Sequence, residues 1–518
     1  MSEEHLSLSR YYVLNMLSNL NSNFAPEEAR YLQKNINRLQ DCLNQKPITD
    51  FVGEWKVVWG PALVNSEAVP KVLVRKKKRY VTDHAIFLAY AADQNEYFVG
   101  ISGTNGLSLR NWKDEDINVS KMVAWPPAEV AEPGTAPGAK VSEGASVGFE
   151  FLWNCKDPES GKTMLEFLKE TLGEKSTTIT VGGHSLGGCL TPLMASALAL
   201  NLDASNVKIQ AFPTAGPTPG NGAFFDHLAD TLHYYHACYN ENDLVPLAWD
   251  FDQLGDLIDN YTQWKFTKEK IRTKEVLVNS WLEWAKARPA SNIYERMPSE
   301  PRSNFKISTW RNEGILGQNN PEQCKQLSAA IGLTKSFLKT FPRPKRTMVK
   351  IYDLKFGESK SFNDSCYNFA RFFVQMGLQH VTAYNHASPL SGQQSPIDLP
   401  EAVRKSLSTC FQRKGFEGQE AWKLWLIAHG GDVMHHIANE VLQWVKIHKP
   451  KDVPAAELEA TTVDDEYTST MSEAEFEAAF IGEDTAMPLD ALPLSFSPFK
   501  VYSTPQSFKQ EVRSPLRV

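Results

Sequence analysis

The expected fold is decided by residues 177–190, TTITVGGHSLGGCL. The β-branched threonine, isoleucine and valine residues at its start predict a strand. Residues 190–200, which are rich in alanine, leucine and methionine, predict a helix. Between the two lies Gly183–Gly187, a G-x-S-x-G sequence, which in a strand–turn–helix context is typical of a nucleophile elbow.

Ser185 is the candidate nucleophile of this elbow. In such a turn the serine has a strained backbone conformation, its Oγ is exposed, and the N–H groups that follow point at the incoming carbonyl. The alternative is a glycine-rich turn in which Ser185 only caps the helix. The strand before it and the helix after it favour the elbow.

The composition is that of an ordinary globular protein. The chain has 518 residues, of which 42% are hydrophobic and 22% charged, enough for two or three domains or one elaborated domain. A formal net charge of −7 provides no general attraction to nucleic acid, so we expect no nucleic-acid partner.

The cysteines and the N-terminal residues indicate the cellular compartment of the protein. Seven scattered cysteines without a C-x-x-C pair favour free thiols in a reducing compartment over a zinc site. The N-terminal residues lack the basic and apolar regions of a secretory signal, and no run is apolar enough to span a bilayer. We therefore expect an intracellular protein, either soluble or peripherally associated with a membrane.

A second motif lies upstream of the elbow, at the end of a strand predicted over residues 97–102. There the chain continues into Gly103-Thr104, followed by Arg110-Asn111-Trp112. This arrangement resembles the class 3 lipases, the family of the secreted fungal triacylglycerol lipases, although Ser102 stands where that family usually has arginine. The resemblance implies that the N–H groups of Thr104 and Leu186 form an oxyanion hole.

The resemblance also implies a triad acid after a later strand. Asp243 follows the strand predicted over residues 232–238 and precedes an apolar-Val-Pro turn, which is where the family places this acid. Its role would be to orient the catalytic histidine and stabilise the imidazolium. Glu241, Asp250 and Asp252 remain competing candidates, and Asp243 by itself could be an exposed turn residue.

The catalytic histidine is expected late in the chain. The family has a His-x-x-Tyr-like setting, and His380-Val381-Thr382-Ala383-Tyr384 is similar but has one extra residue. His386 competes with His380 for the role. We favour His380, because it completes the order serine, aspartate, histidine.

The resemblance implies an α/β fold with an α/β-hydrolase-type central sheet flanked by helices, N-terminal helices and an inserted helical cap. In compact fungal lipases the acid and the histidine are much closer in sequence, which indicates the insertion. The expected divisions are an N-terminal helical cover (1–50), the first part of the core (51–248), the mostly helical cap (249–347), the core completion with the histidine (348–450) and an acidic tail containing serine and proline (451–518).

The residues together predict a serine hydrolase for lipid esters that needs no metal or organic cofactor. The expected partner is a hydrophobic acyl ester. The five consecutive cations Arg75–Arg79 indicate either a solvated strand end or contact with an anionic lipid surface. The competing functions are an esterase for short soluble esters, an acyltransferase, and a non-catalytic interaction protein with a lipase-like domain.

Overall fold

The fold is described from a computed structural model. The residues that it describes are 3–20, 38–67, 80–104, 118–132, 134–173, 175–248, 257, 265–266, 269–270, 294–295, 305–310, 376, 379–380, 383–385 and 395–411. The run Arg75–Arg79, the competing residues Asp250, Asp252 and His386, and the tail from residue 451 lie outside these ranges.

The strands form one large sheet and two small ones. The strands are β1 (Lys56–Glu67), β2 (Tyr80–Ala91), β3 (Glu96–Ile101), β4 (Met122–Ala124), β5 (Lys140–Ser142), β6 (Thr177–His184), β7 (Val207–Thr214), β8 (Tyr234–Asn240), β9 (Lys265–Phe266), β10 (Glu269–Lys270) and β11 (Phe305–Trp310). The seven-stranded sheet has the order β1-β2-β3-β6-β7-β8-β11, while β4 pairs with β5 and β9 pairs with β10.

The helices surround the large sheet. They are α1 (Glu3–Ser18), α2 (Lys46–Val52), α3 (Glu143–Trp153), α4 (Met164–Thr171), α5 (Leu186–Asn201), α6 (Gly222–Thr231), α7 (Ala383–Asn385) and α8 (Glu401–Phe411). Residues 38–43 are also helical. A central sheet flanked by helices confirms the predicted fold class.

The large sheet is mixed. Strands β1, β2 and β3 pair antiparallel, whereas β3, β6, β7, β8 and β11 run parallel to one another. The carboxyl ends of the parallel strands share one edge, which is where open α/β sheets bind their ligands. The residues after β3, β6 and β8 therefore converge on one edge of the sheet.

Both faces of the sheet are buried, and the strand period of two divides the core between them. In β2, Ile86 and Leu88 belong to one hydrophobic cluster, while Phe87 and Ala89 belong to the other. All six residues of β3 are buried. A strand that is covered on both faces carries apolar residues at consecutive positions, which explains why its sequence does not alternate.

Different helices cover the two faces. The cluster on the first face includes Phe149 of α3, Leu193 of α5 and Phe224 of α6. The second face is covered by N-terminal and C-terminal elements, with Leu17 of α1 and Leu407 of α8 in its cluster. Within the described ranges, no helix combines the length and apolar character needed to cross a membrane.

The segment 249–347, which the sequence predicts as an inserted cap, contributes to the large sheet. Its strand β11 pairs in parallel with β8, and Phe305 and Trp310 at its two ends are buried. An additional strand covers the edge that β8 would otherwise expose. This part of the segment therefore belongs to the core, whereas most of the remainder lies outside the described residues, so the cap stays a prediction.

Candidate active site

Ser185 lies in the sharp turn between β6 and α5. Its backbone angles are φ 62° and ψ −127°, a conformation that L-residues rarely adopt. The Ser185 N–H donates to the Thr214 carbonyl oxygen across the neighbouring strand at 3.0 Å. The side chain makes no capping hydrogen bond to α5, which removes the interpretation as a helix-capping serine.

Close backbone packing explains two glycines of the motif. A Cβ on Gly183 would lie 2.5 Å from the Gly187 carbonyl carbon, and a Cβ on Gly187 would lie 2.4 Å from the Ile101 carbonyl oxygen. Neither position can hold a larger residue without a shift of backbone. The spacing of the motif thus presses the start of α5 against the ends of β3 and β6.

The two backbone donors predicted for the oxyanion hole lie next to Ser185. Leu186 is the first residue of α5, where the N–H groups have no acceptor within the helix and the helix dipole favours negative charge. Thr104 follows Gly103, and a Cβ on Gly103 would lie only 3.3 Å from the Ser185 Cβ. Both predicted oxyanion donors therefore belong to turns that adjoin the serine.

Asp243 and His380 are in contact although 137 residues separate them. His380 Nδ1 lies 2.8 Å from Asp243 Oδ2, and the Val245 N–H donates to the other carboxylate oxygen at 3.0 Å. Because a carboxylate only accepts hydrogen bonds, Nδ1 carries the proton in this contact, and in the neutral ring the lone pair is then on Nε2. His380 Nε2 is buried and has no hydrogen-bond partner among the described residues.

Tyr384 is a second donor to the same carboxylate oxygen. Its hydroxyl donates to Asp243 Oδ2 at 2.8 Å and accepts the Asn240 N–H at 3.0 Å. Burial, together with the negative charge of Asp243, raises the pKa of Tyr384 well above its usual value. The hydroxyl therefore remains protonated and keeps its hydrogen bond to the carboxylate.

The extra residue between His380 and Tyr384, relative to the His-x-x-Tyr pattern, does not keep either side chain from Asp243. Gln379 and His380 have the conformation of a π-helical turn, and Ala383–Asn385 is the short helix α7. Both side chains contact Asp243 Oδ2 at this four-residue spacing.

Asn240 connects the acid to the histidine segment. Its Nδ2 donates to Gln379 Oε1 at 2.9 Å, and its Oδ1 accepts the Asn242 N–H at 3.0 Å. These contacts hold the residue before His380 against the end of β8. Neither Asn240 nor Gln379 is predicted from the sequence, because a polar residue at a strand end has no pattern that separates it from an ordinary turn residue.

His184 lies between the serine and the histidine segment. Its ring centroid is 4.8 Å from that of His380 and 5.4 Å from that of Tyr384. Burial lowers the pKa of His184 well below its usual value, and the neighbouring His380 lowers it further. A neutral His184 therefore packs against His380 without placing a positive charge next to it.

The five candidate site residues lie at two places along one edge of the large sheet. Ser185, Leu186 and Thr104 follow the ends of β3 and β6. The contact of Asp243 with His380 lies at the end of β8. Because β6, β7 and β8 are neighbours in the sheet, both places belong to the same side of the molecule.

The competing acids and the competing histidine make no described contact with these residues. Glu241, which is two residues from Asp243, is exposed to solvent. Asp250, Asp252 and His386 lie outside the described residues. Asp243 is therefore the candidate acid with a described histidine partner.

A second serine–histidine contact in the chain does not have the features of a nucleophile. Ser196 Oγ lies 2.9 Å from His227 Nε2, but Ser196 is fully buried in α5 and accepts a hydrogen bond from Trp125. The other ring nitrogen of His227 faces the Thr231 hydroxyl at 3.3 Å rather than a carboxylate. No acyl group could reach this serine.

A protein-family model described as Lipase (class 3) matches residues 98–251. This segment is similar to the class 3 lipases. The family resemblance that the sequence predicts is thereby confirmed. The lipase-like segment, residues 98–251, contains Thr104, Ser185, Leu186 and Asp243, while His380 lies beyond its matched range.

Two curated relatives are similar to part of this chain. The Phospholipase A1-II 1 proteins of Oryza sativa subsp. indica and subsp. japonica are each 26% identical to this chain over 162 residues. The aligned region is 28% of this chain and 39% of each rice protein. The chain thus spans about two fifths of the length of the curated relatives that it matches.

Solved lipase structures are also similar to this chain. M37 lipase is 24% identical, with a TM-score of 0.44 and coverage of 61% of this chain and 88% of its own. The Rhizomucor miehei lipase in its propeptide complex is 22% identical, with a TM-score of 0.32 and coverage of 48% and 64%. The fold assignment rests on the strand order described above.

Proposed function

We propose that this protein is a serine hydrolase that cleaves carboxylic esters of lipids through Ser185, His380 and Asp243. The observation that carries the proposal is the buried contact of His380 with Asp243, beside a serine in an elbow conformation. The ring of His380 packs on that of His184, the residue immediately before Ser185. The His380 Nε2, unpartnered within the described part of the chain, is the atom that a general base would use.

The proposed reaction proceeds through an acyl-enzyme. His380 Nε2 takes the Ser185 proton while Oγ attacks the ester carbonyl carbon. The Leu186 and Thr104 N–H groups stabilise the oxyanion of the tetrahedral intermediate. The alcohol leaves with the proton from His380, and a water molecule, deprotonated by the same histidine, then hydrolyses the acyl-enzyme. Asp243 accepts from Nδ1 throughout and stabilises the imidazolium.

The proposed substrate class is an ester of a long-chain acyl group. The matched family is a family of lipases, and the curated relatives are named as phospholipases A1. We accordingly propose that the protein works at a lipid interface, as a peripheral rather than spanning protein. This chain departs from the family pattern in two ways. His380 and Tyr384 are four residues apart, and His380 lies far from Asp243 in the sequence.

The test compares the wild type with Ser185→Ala, His380→Ala and His386→Ala on p-nitrophenyl esters of short to long acyl chains. We expect Ser185→Ala and His380→Ala to lose about 10⁴-fold or more in kcat, while His386→Ala retains activity. A fluorophosphonate probe should label every variant that keeps both Ser185 and His380. An unlabelled, inactive wild type would refute the proposal that the protein is a serine hydrolase. Labelling of Ser185→Ala would refute the assignment of Ser185 as the nucleophile.

The substrate class is tested with lipids. Phosphatidylcholine vesicles and triacylglycerol emulsions are offered to the wild type, and the released fatty acid is measured. Preference for a long-chain lipid over a short soluble ester supports the proposal. A wild type that hydrolyses only short soluble esters would be an esterase.

A further inference from the structure

Three polar residues lie on the buried face of α1 and the turn that ends it. Asn15, Ser18 and Asn19 have the three- and four-residue spacing of one helical face, and none of them is more than 6% exposed. A helix that only covers a sheet needs apolar residues on that face, because a buried polar group costs free energy unless it is hydrogen-bonded. The hydrogen-bond partners of these three side chains therefore indicate the role of this helix face.

All three side chains bond to backbone at the carboxyl ends of core strands. Ser18 Oγ donates to the Ile101 carbonyl at 2.8 Å, and Asn19 Oδ1 accepts the Gly103 N–H at 2.7 Å. Asn15 Nδ2 donates to the Phe212 carbonyl at 2.9 Å and to the Thr214 hydroxyl at 2.8 Å. The helix end thus binds the turns on both sides of the elbow.

The contact at Gly103 is the one nearest to the chemistry. Gly103 directly precedes Thr104, the proposed oxyanion donor. A Cβ on Gly103 would lie 2.6 Å from the His184 carbonyl oxygen and 3.3 Å from both Ser185 Cβ and Asn19 Oδ1. The glycine therefore packs closely against both the elbow and Asn19.

The Asn19 amide has one orientation. Its Nδ2 donates to the Asn15 carbonyl at 3.4 Å, and its Oδ1 accepts from Gly103. The reverse orientation would direct an amide N–H at the Gly103 N–H and lose both contacts. An acceptor fixed in this way restricts the orientation of the Ser102–Gly103 peptide, which directly precedes the peptide that carries the Thr104 N–H.

We propose that Asn19 is a positioning residue for the oxyanion hole, which it holds in place through the Gly103 N–H. The inference rests on the proposed serine hydrolase function. Helix α1 lies outside the lipase-like segment, so part of the catalytic geometry comes from the N-terminal segment of the chain. The oxyanion donors act mainly in the transition state, so the loss of Asn19 acts on kcat more than on KM.

The test is Asn19→Ala, measured on a soluble p-nitrophenyl ester and with an alkylboronic acid, which forms a tetrahedral adduct with the serine. We expect kcat to fall about 10- to 100-fold, somewhat less than the loss of a donor itself, with KM within about twofold. The inhibition constant of the boronic acid should rise by the same factor as kcat/KM falls. Ser18→Ala should show a smaller loss in the same direction.

The matched control is Tyr11→Phe in helix α1, which Asn19 directly follows. The Tyr11 hydroxyl donates to Glu96 Oε1 at 2.7 Å, which joins α1 to β3 at the end of the strand away from the elbow. We expect this variant to lower thermal stability while kcat, KM and boronic acid binding stay at wild-type values. A purely structural role of Asn19 would give the same pattern as Tyr11→Phe.

The outcomes separate this inference from the function on which it rests. A wild type without activity and without fluorophosphonate labelling refutes the function. An active wild type, together with Asn19→Ala and Ser18→Ala variants whose kcat and boronic acid affinity stay within about twofold, refutes the positioning role alone. If Asn19→Ala does not fold, Ser18→Ala decides the question by the same measurements.

Discussion

At the scale of single residues, the site depends on buried polar atoms whose partners are fixed. Asp243 accepts hydrogen bonds from His380 and Tyr384 at one carboxylate oxygen and from the Val245 N–H at the other. A buried carboxylate with three donors has little freedom to rotate. The orientation of the histidine ring is accordingly set by contacts that exist before any substrate binds, which is the preorganisation that enzymes use.

Tyr384→Phe removes one of these donors and keeps the aromatic packing against Trp310. The Asn240 N–H also loses its acceptor, so we expect the free energy of unfolding to fall by about 1–3 kcal/mol. We expect kcat to fall about tenfold, the equivalent of about 1.4 kcal/mol of lost orientation. Urea unfolding and ester kinetics measure the two effects.

Tyr90→Phe is the control for that prediction. Its hydroxyl donates to Asn95 in the hairpin between β2 and β3, away from the site. We expect this variant to leave kcat unchanged. Equal kinetic losses in the two variants would contradict a specific role of Tyr384.

The lowered pKa of His184 in the folded state makes the free energy of unfolding depend on pH. Burial favours the neutral ring, so the folded pKa lies well below the value of about 6.5 in an unfolded chain. The stabilisation is complete above about pH 6.5 and is lost as the pH falls below it, with a slope of up to about 1.4 kcal/mol per pH unit.

His184→Leu tests this contribution by urea unfolding at a series of pH values from neutral downward. The slope of the free energy of unfolding against pH should be smaller in the variant than in the wild type. The comparison is needed because burial also lowers the pKa of His227. Identical slopes would mean that His184 is protonated equally in the folded and unfolded chains.

At the scale of elements, helix α1 is attached to the sheet by polar contacts at both ends of β3. Near the elbow these are the contacts of Ser18 and Asn19, and at the other end Tyr11 and Thr180 both donate to Glu96. The helix is thus aligned along the strand by hydrogen bonds and held there by apolar burial. Hydrogen bonds have direction, so they set the position of the helix in a way that apolar contact alone does not.

Glu96→Gln tests the polar contacts at the far end. Burial raises the pKa of Glu96 by more than its hydrogen bonds lower it, so the folded state favours the protonated carboxyl. That stabilisation is present below the unfolded pKa of about 4.3 and is lost as the pH rises through the folded pKa.

Glutamine cannot ionise but keeps the acceptor for Tyr11. We therefore expect Glu96→Gln to be more stable than the wild type at neutral pH and to lose this advantage toward pH 4. Thermal unfolding across that range measures the difference. A variant that is less stable than the wild type at neutral pH would contradict the prediction.

At the scale of the whole molecule, the lipase-like segment depends on parts of the chain outside its matched range. The match begins at residue 98, after β1, β2 and α1, and ends at residue 251, before β11 and His380. Strand β3 would lose its antiparallel partner, and one face of the sheet would lose the helices that cover it. The protein therefore folds around one sheet to which distant parts of the chain contribute.

A fragment of residues 98–251 is the corresponding test. We expect it to lack a cooperative urea transition and to give no fluorophosphonate labelling, because it exposes a strand edge and an apolar face and has no histidine for Asp243. The full chain, expressed in the same way, is the control. A fragment that unfolds cooperatively would show that the lipase-like segment is autonomous.

The local part of the site could be predicted from the sequence. The elbow is encoded by glycines within a few residues of Ser185 and by β-branched residues directly before it, and Asp243 follows a strand whose end the turn residues mark. In both places the physical cause, close backbone approach or strand propensity, acts between neighbours in the chain. A single sequence contains that information.

Tertiary structure alone brought together the groups that are far apart in the chain. His380 and Tyr384 reach Asp243 across 137 and 141 residues, and Asn19 reaches Gly103 across 84. The strand β11 likewise joins β8 from a segment whose composition suggested helices. Such contacts depend on the order of strands in the sheet, which is set by burial of the whole core and leaves no local pattern at the residues concerned.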